Sequence, residues 1–240
     1  MHILITRPEP DASDWRVKFE ARGAKATVDP LLEIEFLPPQ TADLSGIQAL
    51  IATSRNALRG LQSSPMLTKA TTLPLFTVGP ATTKLARDLG FSTLHEGPAS
   101  ARDLVPLIRQ RATPAAGPLL HLCGDKLAFD LGAALSPHGY TVPRLTVYRS
   151  CPATKLHRHT IAALASGSID TVMLMSPLTA KTFANLAQQA GLNEQCQRLV
   201  YVCLSQNVSS ALMPLKPATV HIAREPNSQA VFTLIETLLA

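Results

Sequence analysis

The chain has 240 residues, of which 46% are hydrophobic and 16% are charged, a composition typical of a globular protein with one large domain or two small ones. No run approaches the roughly 18 consecutive apolar residues of a membrane span, and the apolar N-terminal run stops at Arg7, so we expect a cytoplasmic protein that is not exported. The net charge of +5 fits an acidic partner, but basic residues are scattered and aromatic residues make up only 5%, which favours a small polyanion over nucleic acid.

Residues that bind metals or form disulfides are not grouped in the sequence. The four cysteines form no C-x-x-C pair, and three of them sit in or beside apolar runs, as buried free thiols do. His157 and His159 are spaced i, i+2, which points their rings to different sides of a helix. We therefore expect neither a disulfide framework nor a metal site.

The N-terminal part alternates apolar runs with helical patterns. HILIT (2–6) predicts a buried strand, and the helix after it is predicted to end at Gly23. The stretch 27–37 is interrupted by a proline and alternates apolar with acidic residues, which favours a half-exposed ribbon at a sheet edge. QALIAT (48–53) predicts another strand, and Ser54 is the expected N-cap of the helix that follows.

Residues 74–91, PLFTVGPATTKLARDLGF, predict a strand, a turn and a helix in one stretch. The apolar run stops at Gly79, and the helix opens with the small hydroxyl residues Thr82 and Thr83. The unpaired N–H groups and positive dipole end of such a helix favour an anion. A similar design returns at residues 199–212, LVYVCLSQNVSSAL, and we expect the two turns to face each other across a cleft.

Between these two stretches the same alternation continues. The run from Ser100 to Asp103 is a capping box, and TPAAGP (113–118) is the best linker by composition. PLLHLC (118–123) predicts a strand, followed by a helix face that starts at Leu127. The stretch 141–149 is a second extended ribbon interrupted by a proline.

The C-terminal part predicts a helix at 156–165 and a strand at 170–175, after which Ser176 opens another helix. A last strand is predicted at 219–223, with Ser228 as the cap of the final helix. The halves correspond, because ALIATSRNAL matches TVMLMSPLTA and PLFTVGPATTKLA matches LVYVCLSQNVSSA. Strands that alternate with helices across short turns form parallel sheets covered on both faces, so the sequence predicts two similar α/β domains.

Candidate site residues lie where strands lead into helices, because ligands of open parallel sheets bind at the carboxyl ends of the strands. Hydroxyl and amide side chains there suit an anion, or else serve only as N-caps. The basic ones suit carboxylates, or else are solvated surface charges. The candidates for substrate binding are Arg7, Ser54, Arg55, Gly79, Thr82, Thr83, Lys126, Ser176, Asn207 and Ser209.

Several catalytic motifs are missing from the sequence. There is no dinucleotide fingerprint, P-loop, nucleophile elbow or evident pair of catalytic carboxylates, which favours binding or catalysis by positioning and electrostatics. Tyr148 ends the second ribbon and is one of three tyrosines. A phenol near neutral pH is a neutral donor suited to protonating a leaving oxygen, and packing within a strand is the alternative role.

The order of the motifs LITRP, ALIATSRNAL, LFTVGPATTKLARDLGF, LHLCGDK, LTVYRS and VMLMSPLTAKTF resembles the uroporphyrinogen-III synthase family over essentially the whole chain. The resemblance implies two similar doubly wound parallel-sheet α/β domains, joined by a two-stranded β-ladder, with the active site in the cleft between them. This resemblance replaces the domain boundary near residues 113–118 that composition alone suggests. One domain would hold residues 1–36 and 150–240, the other would hold 38–146, and the ribbons 27–37 and 141–149 would form the linker.

The resemblance also implies a reaction without a cofactor. This family converts the linear tetrapyrrole hydroxymethylbilane into uroporphyrinogen III: water is lost to give an azafulvene, and ring D attacks to give a spirocyclic pyrrolenine. That intermediate fragments and recloses with ring D inverted. The family's proposed general acid corresponds to Tyr148, its glycine-turn threonine to Thr82, and the serine of a turn in the other domain to Ser176. The last turn lacks the threonine that the family often has, so Asn207 or Ser209 would supply the equivalent hydrogen bond.

We therefore expect a monomeric synthase that receives its substrate from hydroxymethylbilane synthase and has no nucleic-acid or membrane partner. The alternative is a non-catalytic two-domain cytoplasmic protein that closes on a small anion. Such a binder would leave the identity of the cyclised product unchanged.

Overall fold

The computed structural model describes residues 1–38, 41–98 and 100–239. The strands in chain order are β1 (His2–Ile5), β2 (Lys25–Val28), β3 (Leu32–Phe36), β4 (Ala49–Ala52), β5 (Leu75–Val78), β6 (Leu94–Gly97), β7 (Leu119–Gly124), β8 (Arg144–Pro152), β9 (Thr171–Leu174), β10 (Val200–Cys203) and β11 (Thr219–Ile222). The α-helices are α1 (Asp11–Glu20), α2 (Arg55–Gln62), α3 (Leu67–Ala70), α4 (Gly79–Asp88), α5 (Leu104–Arg111), α6 (Leu131–Leu135), α7 (Arg158–Ala165), α8 (Pro177–Gln189), α9 (Asn193–Gln197), α10 (Gln206–Ser210) and α11 (Ser228–Leu239).

The chain divides into two compact units, and the first is formed by Met1–Glu33 together with Cys151–Ala240. Its sheet has the order β11-β10-β9-β1-β2, and all neighbouring strands are parallel. The central strands β1 and β9 are buried along their whole length, whereas the edge strands β2 and β11 are partly exposed. Apolar clusters centred on Phe183 and on Phe19 cover the two faces, as a parallel sheet requires.

The second unit is Ile34–Ser150, and its sheet has the order β3-β8-β7-β4-β5-β6. From β8 to β6 all neighbouring strands are parallel. Alternate residues of β4 enter different apolar clusters, Leu50 on one face and Ile51 on the other, because successive side chains of a strand point to opposite faces. The predicted α/β class with parallel sheets is confirmed.

The chain passes between the units within two neighbouring strands, β3 and β8. The N–H of Leu37 donates to the carbonyl of Val147 over 3.1 Å, and the N–H of Ala153 donates to the carbonyl of Leu31 over 3.0 Å. Residue numbers fall along one strand as they rise along the other, so this pair is antiparallel. A two-stranded connection therefore belongs to the fold.

Two local predictions based on capping are confirmed. Ser54 caps α2, because its Oγ accepts the N–H of Asn56 over 3.1 Å. Ser100 and Asp103 form the predicted capping box, which opens a short 3-10 helix at Ala101–Asp103 before α5 begins. Each of these side chains satisfies N–H groups that the first helical turn leaves without partners.

Other local predictions need correction. The ribbon 27–37 lies at sheet edges as predicted, but it is two strands, β2 and β3, at the edges of different sheets, and they are separated at Asp29–Leu31 around a proline that cannot donate to a ladder. The helix predicted from Leu127 begins only at Leu131, at the start of α6. Ser228 is the first residue of α11, and the cap is Asn227, whose Oδ1 accepts the N–H of Ala230 over 2.8 Å.

Candidate active site

In the six-stranded unit, three polar turns follow the adjacent parallel strands β7, β4 and β5. Strand β7 leads into Asp125 and Lys126, β4 leads into Ser54 at the start of α2, and β5 leads directly into Gly79 at the start of α4. The carboxyl ends of parallel neighbours meet at one edge of a sheet, which is the usual ligand edge of such folds.

Tyr148 is placed at this edge by an irregularity in β8. Cys123 pairs with Thr146 and Gly124 pairs with Tyr148, which leaves Val147 as an extra residue in β8. A bulge of this kind re-aims the side chains that follow it. Val147 and Tyr148 consequently both pack against the apolar cluster that contains α2.

The phenol of Tyr148 is held in its neutral form. Burial is the main cause that raises its pKa above the usual value, and the nearby Cys123 and Asp125 raise the pKa further. A hydrogen bond with the Ser54 side chain acts in the opposite direction but is the smaller influence. At neutral pH, Tyr148 is therefore a half-buried proton and hydrogen-bond donor beside the first turn of α2.

The two threonines of α4 have different environments, although both are buried. The Thr83 hydroxyl donates to the carbonyl of Gly79 over 3.1 Å and lies 2.7 Å from the hydroxyl of Thr77, which is fully buried. Among the described residues, no hydrogen bond occupies the Thr82 hydroxyl. Of this pair, only Thr82 therefore has a hydroxyl available to a ligand.

The basic candidates of this unit are on its accessible side. Arg55 is the first residue of α2, next to Ser54, and is half-buried. Its side chain or main chain already interacts with other groups of the protein. Lys126 is exposed. Both cations follow strands that end at the same edge as Gly79, so both remain candidates for carboxylate contacts.

In the five-stranded unit, Arg7 and Ser176 follow the adjacent strands β1 and β9, and both are engaged within the protein. The Arg7 guanidinium lies 3.0 Å from the Asp11 carboxylate and 5.6 Å from the centre of the Trp15 ring. The Ser176 Oγ accepts the N–H of Thr179 over 3.0 Å, and the two hydroxyls are 2.7 Å apart. The structure thus gives Ser176 the N-cap role that the sequence left open.

The turn after β10 places Asn207 and Ser209 within the short helix α10. Asn207 is exposed and Ser209 is half-buried. No side chain caps α10 or α4 within the described part of the chain, whereas Ser54 and Ser176 cap α2 and α8. The turns at 79–83 and 205–209 therefore leave N-terminal N–H groups without a side-chain partner.

Three residues beside the candidates are not among the site residues chosen from the sequence, although the turn from Gly124 to Lys126 was singled out as a whole. Gly124 lies against the Tyr148 ring, Asp125 bonds the carbonyl of Tyr148 and the N–H of Ser150, and the Thr77 hydroxyl bonds that of Thr83. Glycine and aspartate after a strand look like ordinary turn residues, so only the Gly124-Asp125 pair gave any signal. A threonine in an apolar strand gives none.

Within residues 1–38, 41–98 and 100–239, no group of three or more His, Cys, Asp and Glu side chains is arranged to hold a metal ion. Over the same ranges, no helix has the length and apolar character needed to span a membrane.

A sequence model described as "Uroporphyrinogen-III synthase HemD" matches residues 13–233. No curated protein sequence matches the chain. The fold is similar to uroporphyrinogen-III synthetase from Helicobacter pylori, with a TM-score of 0.67 and 19% identity over 99% of this chain and 98% of that one. It is also similar to a mutant uroporphyrinogen III synthase from Thermus thermophilus, with a TM-score of 0.59 and 17% identity over 99% of this chain and 97% of that one.

At these identities the two structures show a shared fold. The family match shows more, because it extends over nearly the whole sequence and covers the turns after β4, β5, β7, β9 and β10. The chain therefore belongs to the uroporphyrinogen-III synthase family.

Proposed function

We propose that this chain closes hydroxymethylbilane to uroporphyrinogen III with inversion of ring D, and that Tyr148 is the group that assists loss of water. The observation that carries the assignment of Tyr148 is a neutral, half-buried phenol at the carboxyl edge of a parallel sheet, in a chain that matches the family over residues 13–233. The phenol O–H would donate its proton to the hydroxyl of the substrate as the C–O bond breaks. Water leaves, and the azafulvenium cation and a phenolate remain, so the charges balance.

The phenolate would be stabilised locally until it recovers a proton. The hydrogen bond with Ser54 favours the charged form, and the N-terminal end of α2 carries a positive partial charge. Cyclisation releases a proton when the pyrrolenine returns to a pyrrole, so the proton balance over the whole reaction closes. In this proposal, Ser54 acts on Tyr148 as well as on the substrate.

The remaining candidates are proposed to hold the substrate carboxylates, which must be fixed if ring D is to be reversed. Uncapped N–H groups at Gly79 and the Thr82 hydroxyl would bind one carboxylate group. Basic side chains would bind others in charge-assisted hydrogen bonds. The proposed binding residues are Arg7, Arg55 and Lys126 by charge, and Ser176, Asn207 and Ser209 by hydrogen bonding. Thr83 would contribute only by stabilising the start of α4, through the hydroxyl bond to the carbonyl of Gly79.

The product isomer tests this function. Freshly prepared hydroxymethylbilane is incubated with the protein, and the type I and type III products are separated by chromatography. We expect mainly type III product, formed faster than in a control with heat-denatured protein. A product that is only type I and appears at the uncatalysed rate would overturn the proposal and would favour a non-catalytic anion binder.

The neighbouring threonines give a matched pair of variants. Thr82→Val removes an available hydroxyl, so we expect KM to rise by about 10-fold with little change in stability, as for a lost hydrogen bond to a charged group. Thr83→Val leaves the buried Thr77 hydroxyl without its partner, so we expect unfolding to become easier by about 1–3 kcal/mol with KM nearly unchanged. Initial rates and urea unfolding of both variants separate the two effects, and a wild-type KM for Thr82→Val would exclude its proposed contact.

The finer assignments of partner and location follow from the same proposal. Hydroxymethylbilane synthase would be the upstream donor of the substrate, and the chain would act as a monomer in the cytoplasm. Sedimentation at the working enzyme concentration is the direct check of the monomer, and a stable dimer would contradict it.

A further inference from the structure

The ring of Tyr148 occupies the space where Gly124 would otherwise carry a side chain. A Cβ built on Gly124 would lie 2.7 Å from both Cε2 and Cζ of Tyr148 and 3.0 Å from its hydroxyl oxygen. Carbon atoms without a bond between them do not approach so closely, because their optimal separation is about 3.5–4.0 Å. The phenol can lie in its observed place only if residue 124 is glycine.

The main chain on which Tyr148 is carried is also fixed closely. A Cβ on Gly60 of α2 would lie 2.8 Å from the carbonyl oxygen of Val147, so this helix packs directly on the bulged residue before the tyrosine. On the other side, the N–H of Asp125 donates to the carbonyl of Tyr148 over 3.1 Å. The Asp125 carboxylate accepts the N–H of Ser150, also over 3.1 Å.

These contacts fix the direction in which the Tyr148 side chain leaves the main chain. The main chain around residue 148 is held by α2 and by the turn after β7, and the bulge aims the side chain at β7. The ring then lies against the bare backbone of Gly124, with its hydroxyl near Ser54. Bulges and glycines are often found together where a strand brings a functional group close to another backbone.

We propose that Gly124 is a positioning residue, which fixes the plane of the Tyr148 ring and thereby the direction in which the phenol donates its proton. This inference rests on the proposed role of Tyr148. Gly124 itself supplies no chemistry. A displacement of about 1 Å at a reacting group lowers rates by up to about 100-fold, so the position of this glycine bears on turnover.

Gly124→Ala tests the proposal, with Gly132→Ala as the matched control. Gly132 lies in α6 of the same unit, and its added Cβ would lie 3.3 Å from the exposed carboxylate of Asp130 and 3.6 Å from the carbonyl oxygen of Val142, which is close to ordinary contact. We expect kcat to fall by about 10-fold or more in Gly124→Ala, with KM within about 2-fold of wild type. In Gly132→Ala, kcat and KM should both stay at their wild-type values.

Two further measurements separate a positioning effect from general damage. In protein labelled with ¹³C at tyrosine Cζ, the Tyr148 resonance should shift in Gly124→Ala, and its titration should move to lower pH as the ring becomes more hydrated. The double variant with Tyr148→Phe should be no less active than Tyr148→Phe alone, since the group that Gly124 positions is then missing. If Gly124→Ala does not fold, the ring-current shift of the Gly124 Hα in the wild type still tests the contact.

The outcomes distinguish this inference from the proposed function. An unchanged Tyr148 resonance in a folded Gly124→Ala variant, or a wild-type kcat despite a shifted resonance, would overturn the role of Gly124. Absence of the ring-current shift in the wild type would do the same. A fully active Tyr148→Phe variant would instead remove Tyr148 from the chemistry, and a shifted resonance would then still support the contact.

Discussion

Tyr148→Phe is expected to lower turnover by on the order of 10- to 1000-fold, the usual contribution of a general acid. The substitution removes the proton donor and keeps the ring that rests on Gly124, so the fold and the substrate contacts should remain. KM should change much less than kcat, because the proposed proton transfer occurs only in the transition state. Single-turnover rates of ring closure with freshly made hydroxymethylbilane give the comparison, and unchanged turnover would remove the phenol from the mechanism.

Tyr140→Phe is the control for that experiment. Tyr140 lies in the same unit and is buried, and its hydroxyl donates to the carbonyl of Ala112 over 2.9 Å. Loss of this bond should cost about 1 kcal/mol of stability and leave turnover unchanged. The wild-type rate should also fall at strongly alkaline pH, because the pKa of Tyr148 is raised and its proton is lost only above that value.

Stability should decline steeply in mild acid because of a second buried group, His121 on β7. Its side chain is only 1% exposed, and neither ring nitrogen has a hydrogen-bond partner within the described chain. Burial, reinforced by the positive charge of Arg144 and only partly offset by Asp130, lowers its pKa to about 4. Folding around a neutral imidazole therefore becomes less favourable once the pH drops.

The direction in which pH changes the free energy of unfolding follows from the lowered pKa of His121. An unfolded histidine binds its proton near pH 6.5, whereas folded His121 resists protonation until about pH 4. As pH falls from 6.5 to 4, the unfolded state takes up the extra proton, so the free energy of unfolding should decrease by a total of about 3 kcal/mol. Above pH 6.5 this contribution to the pH dependence disappears.

His121→Leu should remove this part of the acid sensitivity. Leucine fits the apolar face of β7 and has no proton to bind, so urea unfolding at pH 7 and pH 4.5 should differ less in the variant than in the wild type. His159→Leu is the control, because His159 is an exposed histidine in the other unit. An equal loss of stability in the wild type and His121→Leu would contradict the assignment.

The fold was largely readable from the sequence because each element carries a local signal. Buried four-residue strands such as His2–Ile5 and Thr171–Leu174 have three apolar residues in a row, since both faces of a parallel sheet are covered. Caps such as Ser54 depend on residues within one turn of the helix. The helices α3 and α9 were missed because four or five residues are too few to show a period.

The site was less readable because its geometry depends on contacts between distant segments. The sequence indicated Tyr148 as a candidate but not the bulge that aims it, since one extra residue in β8 is visible only against its partner β7. The residue pattern treated Thr82 and Thr83 alike, and only the family resemblance singled out Thr82, because their difference lies in a bond from Thr83 to Thr77 on another element. Spacing alone does not distinguish a hydroxyl that faces a ligand from one that faces the core.

The paired strands β3 and β8 also have a consequence for the order in which the chain can fold during synthesis. The six-stranded unit is a continuous stretch, Ile34–Ser150, and its strands are complete before the C-terminal third has been made. Strand β1 is synthesised before this unit, yet its neighbour β9 begins only at Thr171. The edge of β1 that pairs with β9 must therefore stay without its partner strand until the whole six-stranded unit has been synthesised.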